Sequence, residues 1–311
     1  MASSIDFEHR FRVPERGFRL ADRDPGDRAG VKKKEARERR AADLERLAEL
    51  QDRLYAESKR ALLVVLQGLD ASGKDGTIKH VMTGVNPQSV AVTSFKEPTP
   101  LELAHDFLWR TDLAVPARGH IGVFNRSHYE EVLVVRVHPE LLANEAIDPA
   151  QGKRRKFWAE RFDEITAWER RLTRGGTRVV KFFLHISKEE QLKRFLARTE
   201  RPDKNWKFSP SDLREHRFWD DYQVVYEEAL GATSPDDAPW YVIPADHKWF
   251  LRTAVAAIIV HHLTEMDPSY PTPTRDQLEE MRSEVRQLLA VEDGASAITS
   301  ERREAASPKA R

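Results

Sequence analysis

The sequence contains no cysteine, and this absence removes several kinds of chemistry at once. Disulfides, zinc sites built on thiolates and thiol nucleophiles are all excluded. Because disulfides accumulate in oxidising compartments, their exclusion favours a cytoplasmic protein. The longest apolar runs, such as residues 61–66 and 254–260, are far shorter than the roughly 18 residues of a membrane-spanning helix. No secretory signal is predicted either, and we expect no membrane partner.

The formal net charge of the chain is zero, since Lys and Arg total 51 and Asp and Glu also total 51. Proteins that bind nucleic acid over a broad surface carry a clear basic excess. We therefore expect no nucleic-acid partner. A polyanion of another kind would have to be met by Lys and Arg side chains gathered at one place.

Short apolar runs alternate with longer helical patterns through the middle of the 311-residue chain. Near-continuous Val, Leu and Ile strands separated by helices are typical of a parallel sheet covered on both faces. We therefore predict an α/β fold with three layers. The predicted strands are residues 61–67, 90–94, 121–125, 178–186 and 240–244, and the predicted helices are residues 77–85, 100–111, 153–174, 188–198, 210–230 and 247–263.

The two ends of the chain differ from its middle. Residues 1–31 are rich in Arg, Asp, Gly and Pro and lack periodicity, which we interpret as an extended or partly disordered arm. Leucines then recur at three- and four-residue spacings within residues 32–59, which predicts an amphipathic helix that packs on the domain or on a partner subunit. The main domain would cover residues 32–270. Residues 271–311 are expected to form a helix and then a disordered tail from Gly294.

The first predicted strand leads directly into a glycine-rich turn, and a helical pattern follows. The frame G-x-x-x-x-G-K is complete between Gly68 and Lys74, in the strand–loop–helix context that a phosphate-binding loop requires. Glycines allow a tight turn whose N–H groups point inward, and the helix N-terminus adds positive potential. The alternative is a turn that merely joins strand and helix. The candidate phosphate-binding residues are Gly68, Ala71, Ser72, Gly73, Lys74, Asp75, Gly76 and Thr77.

Two acidic residues stand in or beside this turn. Asp75 follows Lys74, where many P-loop enzymes have a Ser or Thr that contacts magnesium. An acidic residue in the first turn of a helix is also favoured by the helix dipole. Asp70 lies inside the loop, and a carboxylate among phosphates is repelled unless a divalent cation lies between them. Asp70 is therefore the candidate Mg²⁺ ligand.

Other basic side chains provide further candidates. Arg126 follows a predicted strand, at the carboxyl edge where open α/β sheets bind ligands. It would contact a phosphate or pair with Glu130 one helical turn later. Lys96 follows the second strand, in a position to face an acceptor nucleotide. Arg136 lies in an apolar run and needs a buried partner, either a structural carboxylate or a nucleotide.

A basic segment links two predicted helices in the position where P-loop kinases have a lid. Lids supply charge to the transferred group and exclude water, which would otherwise compete as the acceptor. An ordinary exposed basic loop is the alternative. We predict a lid near residues 198–217, and its candidate residues are Arg198, Arg201, Lys204 and Lys207.

Five blocks of sequence together resemble the family-2 polyphosphate kinases. They follow that family's order and, with their flanks, span about residues 62–263. As a set they are far more specific than the glycine-rich loop alone. The blocks are residues 68–77 (GLDASGKDGT), 95–99 (FKEPT), 105–110 (HDFLWR), 124–134 (FNRSHYEEVLV) and 205–210 (NWKFSP).

The resemblance implies a P-loop kinase fold of the thymidylate-kinase type with a helical lid. It also implies Mg²⁺-dependent phosphoryl transfer between inorganic polyphosphate and nucleoside mono- or diphosphates. Adenine nucleotides, and also guanine nucleotides, would be the partners, and the enzyme would form a dimer or tetramer. By position, Asp70 would hold the metal and Lys74 the phosphate. Asn125 and Arg126 would fill the third-strand motif, and the basic lid would hold the donor chain.

The sequence departs from the family's common pattern at the end of the third strand. Asn125-Arg126-Ser127 stands where many members have Asp-Arg-Ser. An amide carries no negative charge, so a metal site with two carboxylates is not predicted. Asn125 together with Glu130 and Glu131 resembles the subgroup that accepts both mono- and diphosphates.

Two other functions would use the same residues. An ATP-dependent nucleotide kinase of this fold would share the loop and lid, with a base-recognising pocket for ATP in place of a long basic channel. A non-catalytic sensor or scaffold that binds nucleotide or polyphosphate would be expected to have lost Lys74 or Asp70. Both residues are present.

Overall fold

The structure is a computed structural model that describes residues 5–203, 205–207 and 209–305, without the side chains of residue 207 and of residues 292–305. The chain divides into two compact units, Met1–Ser269 and Tyr270–Arg311. Along the part of the chain that is described, no helix combines the length and the apolar character needed to cross a membrane.

A five-stranded parallel sheet forms the centre of the first unit. The strands are β1 (Ala61–Gln67), β2 (Val90–Ser94), β3 (Ile121–Asn125), β4 (Thr177–His185) and β5 (Trp240–Pro244). They follow the spatial order β2-β3-β1-β4-β5, and each neighbouring pair is parallel. Four of the five strands have the bounds that the apolar runs predict, and the fourth is displaced by one residue.

Each face of the sheet has its own hydrophobic core. Successive side chains of a strand point to opposite faces, so Leu62, Val64 and Leu66 of β1 enter one core and Leu63 and Val65 enter the other. Helices cover both cores, which confirms the predicted three-layer α/β fold. The helices are α1 (Phe7–Phe11), α2 (Lys33–Glu57), α3 (Lys74–Val81), α4 (Pro100–Leu103), α5 (Trp109–Asp112), α6 (Glu130–Val137), α7 (Arg155–Arg174), α8 (Lys188–Thr199), α9 (Pro210–His216), α10 (Trp219–Ala232), α11 (Lys248–Met266) and α12 (Arg275–Ala305).

The N-terminal segment is part of the fold, so the expectation of an extended or partly disordered arm is wrong for the residues described. Phe7 and Phe11 are 2% and 3% exposed, and their rings lie 5.7 and 5.8 Å from that of Phe250 in α11. The amide of Val13 donates to the carbonyl oxygen of Trp240 at 2.9 Å. Two aromatic residues four positions apart are enough to anchor one helical turn, although the polar composition around them conceals this signal.

The predicted disordered tail is also wrong over most of its length, because α12 continues through Gly294 to Ala305. The helix begins where its capping-box spacing predicts. The amide of Gln277 donates to Thr274 Oγ1, and the Thr274 amide donates to Gln277 Oε1. Ala, Glu and Arg are strong helix formers, so the single glycine does not end the helix. Residues 306–311 lie outside the described part of the chain.

Some helical boundaries differ from the prediction. The helix predicted over residues 100–111 is two short helices, α4 and α5, because the Asp106 carboxylate accepts from the amide of Leu108 at 2.8 Å and forms a turn between them. The helix predicted over residues 210–230 is likewise divided into α9 and α10. Sequence analysis assigned no helix to α6, whose sequence EEVLVVRV is half valine, a residue that favours strands.

We predict that Phe11→Ala lowers the free energy of unfolding by about 3 kcal/mol, because it leaves a cavity against Phe250. Urea denaturation measures this change. Leu113→Ala is the matched control, since Leu113 is 70% exposed, and it should change stability by less than about 0.5 kcal/mol. Equal effects of the two substitutions would contradict the packing of the N-terminal segment.

Candidate active site

The loop between β1 and α3 takes up strained backbone conformations. Gly68, Ala71 and Gly73 have φ angles of 153°, 62° and 115°. A Cβ atom on Gly68 would lie 2.8 Å from Ser72 Oγ and 2.9 Å from the carbonyl oxygen of Leu184, so only glycine fits there. Left-handed conformations at residues other than glycine persist where the surroundings enforce them, often at functional sites.

Two side chains of α8 hold the carbonyl groups of this loop. The guanidinium of Arg194 donates to the carbonyl oxygens of Ala71 and Ser72 at 2.9 and 3.0 Å. Gln191 Nε2 donates to the carbonyl oxygen of Asp70 at 2.9 Å. Fixed carbonyl groups suit an anion-binding loop, whose N–H groups must face the ligand. Sequence analysis missed both residues, although an Arg on the apolar face of an amphipathic helix is a usable signal.

Lys74 is buried at the start of α3. Its Nζ donates to the carbonyl oxygen of Gly68, and to that of Leu69 at 3.3 Å. Burial, aided by the positive charge of Arg126, lowers the pKa of Lys74 to about 8. The lysine is therefore charged at neutral pH and loses its charge as the pH rises through that value.

Arg126 connects β3 to the loop. Its backbone is left-handed, with a φ of 62°. Its guanidinium donates to Asp70 Oδ1 at 2.7 Å and to Glu130 Oε2 at 2.9 Å. The carboxylate of Glu130, and less strongly that of Asp70, raises the pKa of Arg126 despite its burial. The pair with Glu130 that the sequence suggested does exist, and the same guanidinium also contacts the loop acid.

Asn125 ends β3 beside the loop. Its Nδ2 donates to Asp75 Oδ1 at 3.0 Å, which ties the first turn of α3 to β3. Within the described residues, Asn125 Oδ1, Ser72 Oγ and Thr77 Oγ1 are buried without a hydrogen-bond partner. Buried polar atoms without partners are costly and call for an explanation, and three of them around one loop indicate a polar ligand.

The oxygen groups at this loop fit a magnesium ion. Mg²⁺ binds proteins through one or two carboxylates and takes its other ligands from water and substrate phosphates. Asp70 provides such a carboxylate at the loop. Among the residues the structure describes, no group of three or more His, Asp or Glu side chains could hold a metal alone. A metal here would therefore depend on substrate oxygens.

A cavity of about 490 Å³ opens beside the loop. Of the predicted site residues, Gly68, Asp70, Lys96, Arg126 and Glu130 line it. Its walls also carry many acidic side chains, which would repel a long polyanion. They carry apolar side chains as well, which suit the uncharged part of a smaller molecule. The acidic lining residues are Asp70, Glu97, Glu130, Glu131, Glu145, Asp212 and Glu215.

Comparison with known proteins identifies the family. A family model described as "Polyphosphate kinase 2 (PPK2)" matches residues 30–271. The chain belongs to the polyphosphate kinase 2 family.

Individual members of the family resemble the chain over most of its length. It is 50% identical over 246 residues to an ADP-polyphosphate phosphotransferase of Rhodopseudomonas palustris, covering 79% of this chain and 85% of that protein. It is 46% identical over 267 residues to an AMP/ADP-polyphosphate phosphotransferase of Meiothermus ruber, covering 85% and 96%.

A solved structure confirms the fold. The crystal structure of polyphosphate kinase 2 from Arthrobacter aurescens TC1 superposes with a TM-score of 0.82 at 40% identity, covering 91% of this chain and 98% of that chain. Within this P-loop kinase fold, the predicted loop residues Ala71, Ser72, Gly73, Asp75, Gly76 and Thr77 all lie in the loop or the first turn of α3.

Arg136 has a carboxylate partner in the structure. Its guanidinium binds the carboxylate of Glu228 in α10 and lies over the rings of Trp158 and Phe162 at 5.6 and 5.8 Å. It does not line the cavity described above.

The segment predicted as a lid runs from α8 through a 3-10 helix, Asn205–Lys207, into α9. Arg198 pairs with Asp212 at 3.3 Å, and Arg201 pairs with Asp203 at 2.8 Å. Asp212 lines the cavity, so Arg198 lies next to it. Lys204 lies outside the described residues, and for Lys207 only the backbone is described.

A buried ion pair supports the start of α6. Lys181 contacts Glu169 and donates to the Tyr129 hydroxyl at 3.1 Å, and that hydroxyl donates to Glu169 Oε1 at 2.9 Å. All three side chains are buried. A charged pair in the core is tolerated only when its members satisfy one another. Sequence analysis missed this network, which fixes Tyr129 directly before Glu130.

We predict that Gly68→Ala lowers the free energy of unfolding by at least about 2 kcal/mol, because its Cβ meets backbone and its φ is left-handed. Gly231→Ala in α10 is the matched control, since its Cβ would meet only ring and Cβ atoms of Phe18 at 3.8 and 3.9 Å. It should raise stability by up to about 1 kcal/mol. Chemical denaturation measures the free energy of unfolding of both variants. No change for Gly68→Ala would contradict the loop geometry.

Proposed function

We propose that this protein transfers phosphoryl groups between inorganic polyphosphate and the adenine nucleotides AMP and ADP. One observation carries this proposal: Lys74 donates to the carbonyl oxygen of Gly68, and Arg126 donates to Asp70, at a phosphate-binding loop beside a cavity of nucleotide size. The curated relatives are named as polyphosphate phosphotransferases for ADP and for AMP and ADP. A relative in Pseudomonas aeruginosa named for GDP supports guanine nucleotides as further acceptors.

The chain's own residues would act mainly through charge. The nucleophile is a terminal phosphate oxygen that is already ionised at neutral pH, so no strong general base is needed. The barrier comes from bringing two polyanions together. Lys74 and Arg126 would stabilise the charge of the transferred group, and the loop N–H groups would orient it.

We propose Asp70 as the residue that holds Mg²⁺, with substrate phosphates as its other ligands. When bound, the ion supplies positive charge between the carboxylate and the phosphates. Arg126 contacts the same carboxylate, so its guanidinium is positioned to move from Asp70 to a phosphate.

The lid residues Arg198, Arg201, Lys204 and Lys207 are our candidates for holding the polyphosphate donor, because the acidic cavity does not suit it. Asn125, Glu130 and Glu131 resemble the subgroup of the family that accepts both mono- and diphosphates. The relative in Meiothermus ruber, whose name gives both AMP and ADP, supports this assignment. We further propose a homodimer or homotetramer.

The direct test is ATP formation from ADP and long-chain polyphosphate with Mg²⁺ and no added ATP. A polyphosphate-dependent signal that EDTA abolishes is the expected result, and AMP in place of ADP should give ADP. Formation of ADP from ATP and a monophosphate, with no response to polyphosphate, would instead identify an ATP-dependent nucleotide kinase.

We predict that Lys74→Ala and Asp70→Asn each lower kcat by about 100- to 1000-fold, because each removes a charge from the site of transfer. Lys79→Ala is the control for Lys74, since Lys79 is an exposed lysine on the same helix. It should leave kcat within about twofold of wild type. Near-normal turnover by Lys74→Ala would refute the role of the loop.

A further inference from the structure

A chain of hydrogen bonds leads from α9 to the phosphate-binding loop. His216 is the last residue of α9, and its Nδ1 lies 2.5 Å from Gln191 Oε1. Gln191 lies in α8 and is 3% exposed, and its Nε2 donates to the carbonyl oxygen of Asp70 at 2.9 Å. The chain therefore joins the segment predicted as a lid to the backbone of the candidate Mg²⁺ ligand.

The partners fix the direction of both hydrogen bonds. A carbonyl oxygen only accepts, so the side-chain amide of Gln191 turns its NH₂ group toward Asp70 and its oxygen toward His216. The imidazole then carries a proton on Nδ1, which donates to that oxygen. Burial, and next the charge of Lys188, lower the pKa of His216. The ring is therefore neutral at pH 7, in the tautomer that this contact selects.

The bond to Asp70 orients the peptide group between Asp70 and Ala71. No cis peptide bond occurs among the described residues, and the N–H and C=O groups of a trans peptide point in opposite directions. Because the Asp70 carbonyl is held toward α8, the Ala71 N–H group points away from that helix. Ala71 has a φ of 62°, and left-handed residues in a loop of this kind help its N–H groups to form an anion-binding concavity.

Arg194, the other side chain of α8 at the loop, is fully occupied. A guanidinium has five N–H groups, and all five of them donate to acceptors other than Asp70. These acceptors are the carbonyl oxygens of Ala71, Ser72, Ala245 and Asp246 at 2.6 to 3.0 Å and Glu190 Oε1 at 2.8 Å. Gln191 is therefore the side chain of α8 that sets the peptide group after Asp70.

We propose that Gln191, kept in orientation by His216, is a positioning residue that aims the Ala71 N–H group at a bound phosphate. Neither side chain has to touch the phosphate. A donor that is already oriented toward an anion stabilises it more than one that has to turn during binding. Successive hydrogen bonds in a chain also strengthen one another. The inference rests on the proposed function in taking the ligand of the loop to be a phosphate chain.

Calorimetric titration with tripolyphosphate and Mg²⁺ tests this proposal in wild type, Gln191→Met and the control Gln88→Met. Methionine is close to glutamine in size but cannot donate to the Asp70 carbonyl. Gln191→Met should bind tripolyphosphate about tenfold more weakly, which corresponds to one lost hydrogen bond to a charged group. Gln88 is exposed in the 3-10 helix Pro87–Ser89, so Gln88→Met should bind as wild type does.

Variants of His216 separate positioning from a merely structural role. His216→Leu should weaken the binding of tripolyphosphate about threefold, because Gln191 loses its donor but keeps its bond to Asp70. His216→Asn should restore wild-type binding, since the Asn Nδ2 can take the place of the imidazole Nδ1. Adding His216→Leu to Gln191→Met should cause no further loss, because His216 acts through Gln191. Independent losses from these two substitutions, or equal binding by His216→Asn and His216→Leu, would overturn the proposal.

These readouts are binding constants and do not depend on turnover. The expected pattern of tripolyphosphate affinities in a protein that forms no ATP from ADP and polyphosphate would contradict the proposed function and support the role of Gln191. Polyphosphate-dependent turnover by wild type, with wild-type tripolyphosphate affinity in Gln191→Met, would support the proposed function and overturn the role of Gln191.

Discussion

The negative charge of Asp70 lies in a glycine-rich loop of the phosphate-binding type, and the rest of the site is arranged around the cation that neutralises it. Asp70 belongs to a loop built to attract anions, and left alone it would repel them. Arg126 neutralises this charge, because its guanidinium donates hydrogen bonds to both Asp70 and Glu130. Its left-handed backbone at the end of β3 is the local strain that such a position requires. The same guanidinium therefore links the end of β3 to the loop and to the first turn of α6.

The rest of the fold keeps these charges in place. Parallel strands bring the ends of β1 and β3 to one edge of the sheet, with Leu66 paired to Asn125. Arg194 holds the loop from the side of α8. The buried contact between Lys181 and Glu169 supports the start of α6, which carries Glu130.

Local patterns predicted the sheet, the loop and the family, because apolar runs and glycine spacing are properties of neighbouring residues. Contacts between distant residues were not predictable in this way. Arg194 lies on the apolar face of a helix and Lys181 within an apolar strand, which indicates burial. Only the topology shows that carbonyl groups face the one and a carboxylate faces the other. Arg136 was ambiguous for the same reason, since its partner Glu228 is far along the chain. The N-terminal phenylalanines lie in a polar stretch of sequence that conceals them, and Gly294 was given too much weight against nearby helix formers such as Glu292 and Ala295.

The central claim is that Arg126 and Mg²⁺ use the same carboxylate of Asp70. The most direct measurement is the rate of ATP formation from ADP and polyphosphate as a function of free Mg²⁺, in wild type and Arg126→Gln. The account predicts a lower kcat for Arg126→Gln together with half-saturation at a lower Mg²⁺ concentration, because the competing guanidinium is gone. An unchanged Mg²⁺ dependence in the variant would contradict it.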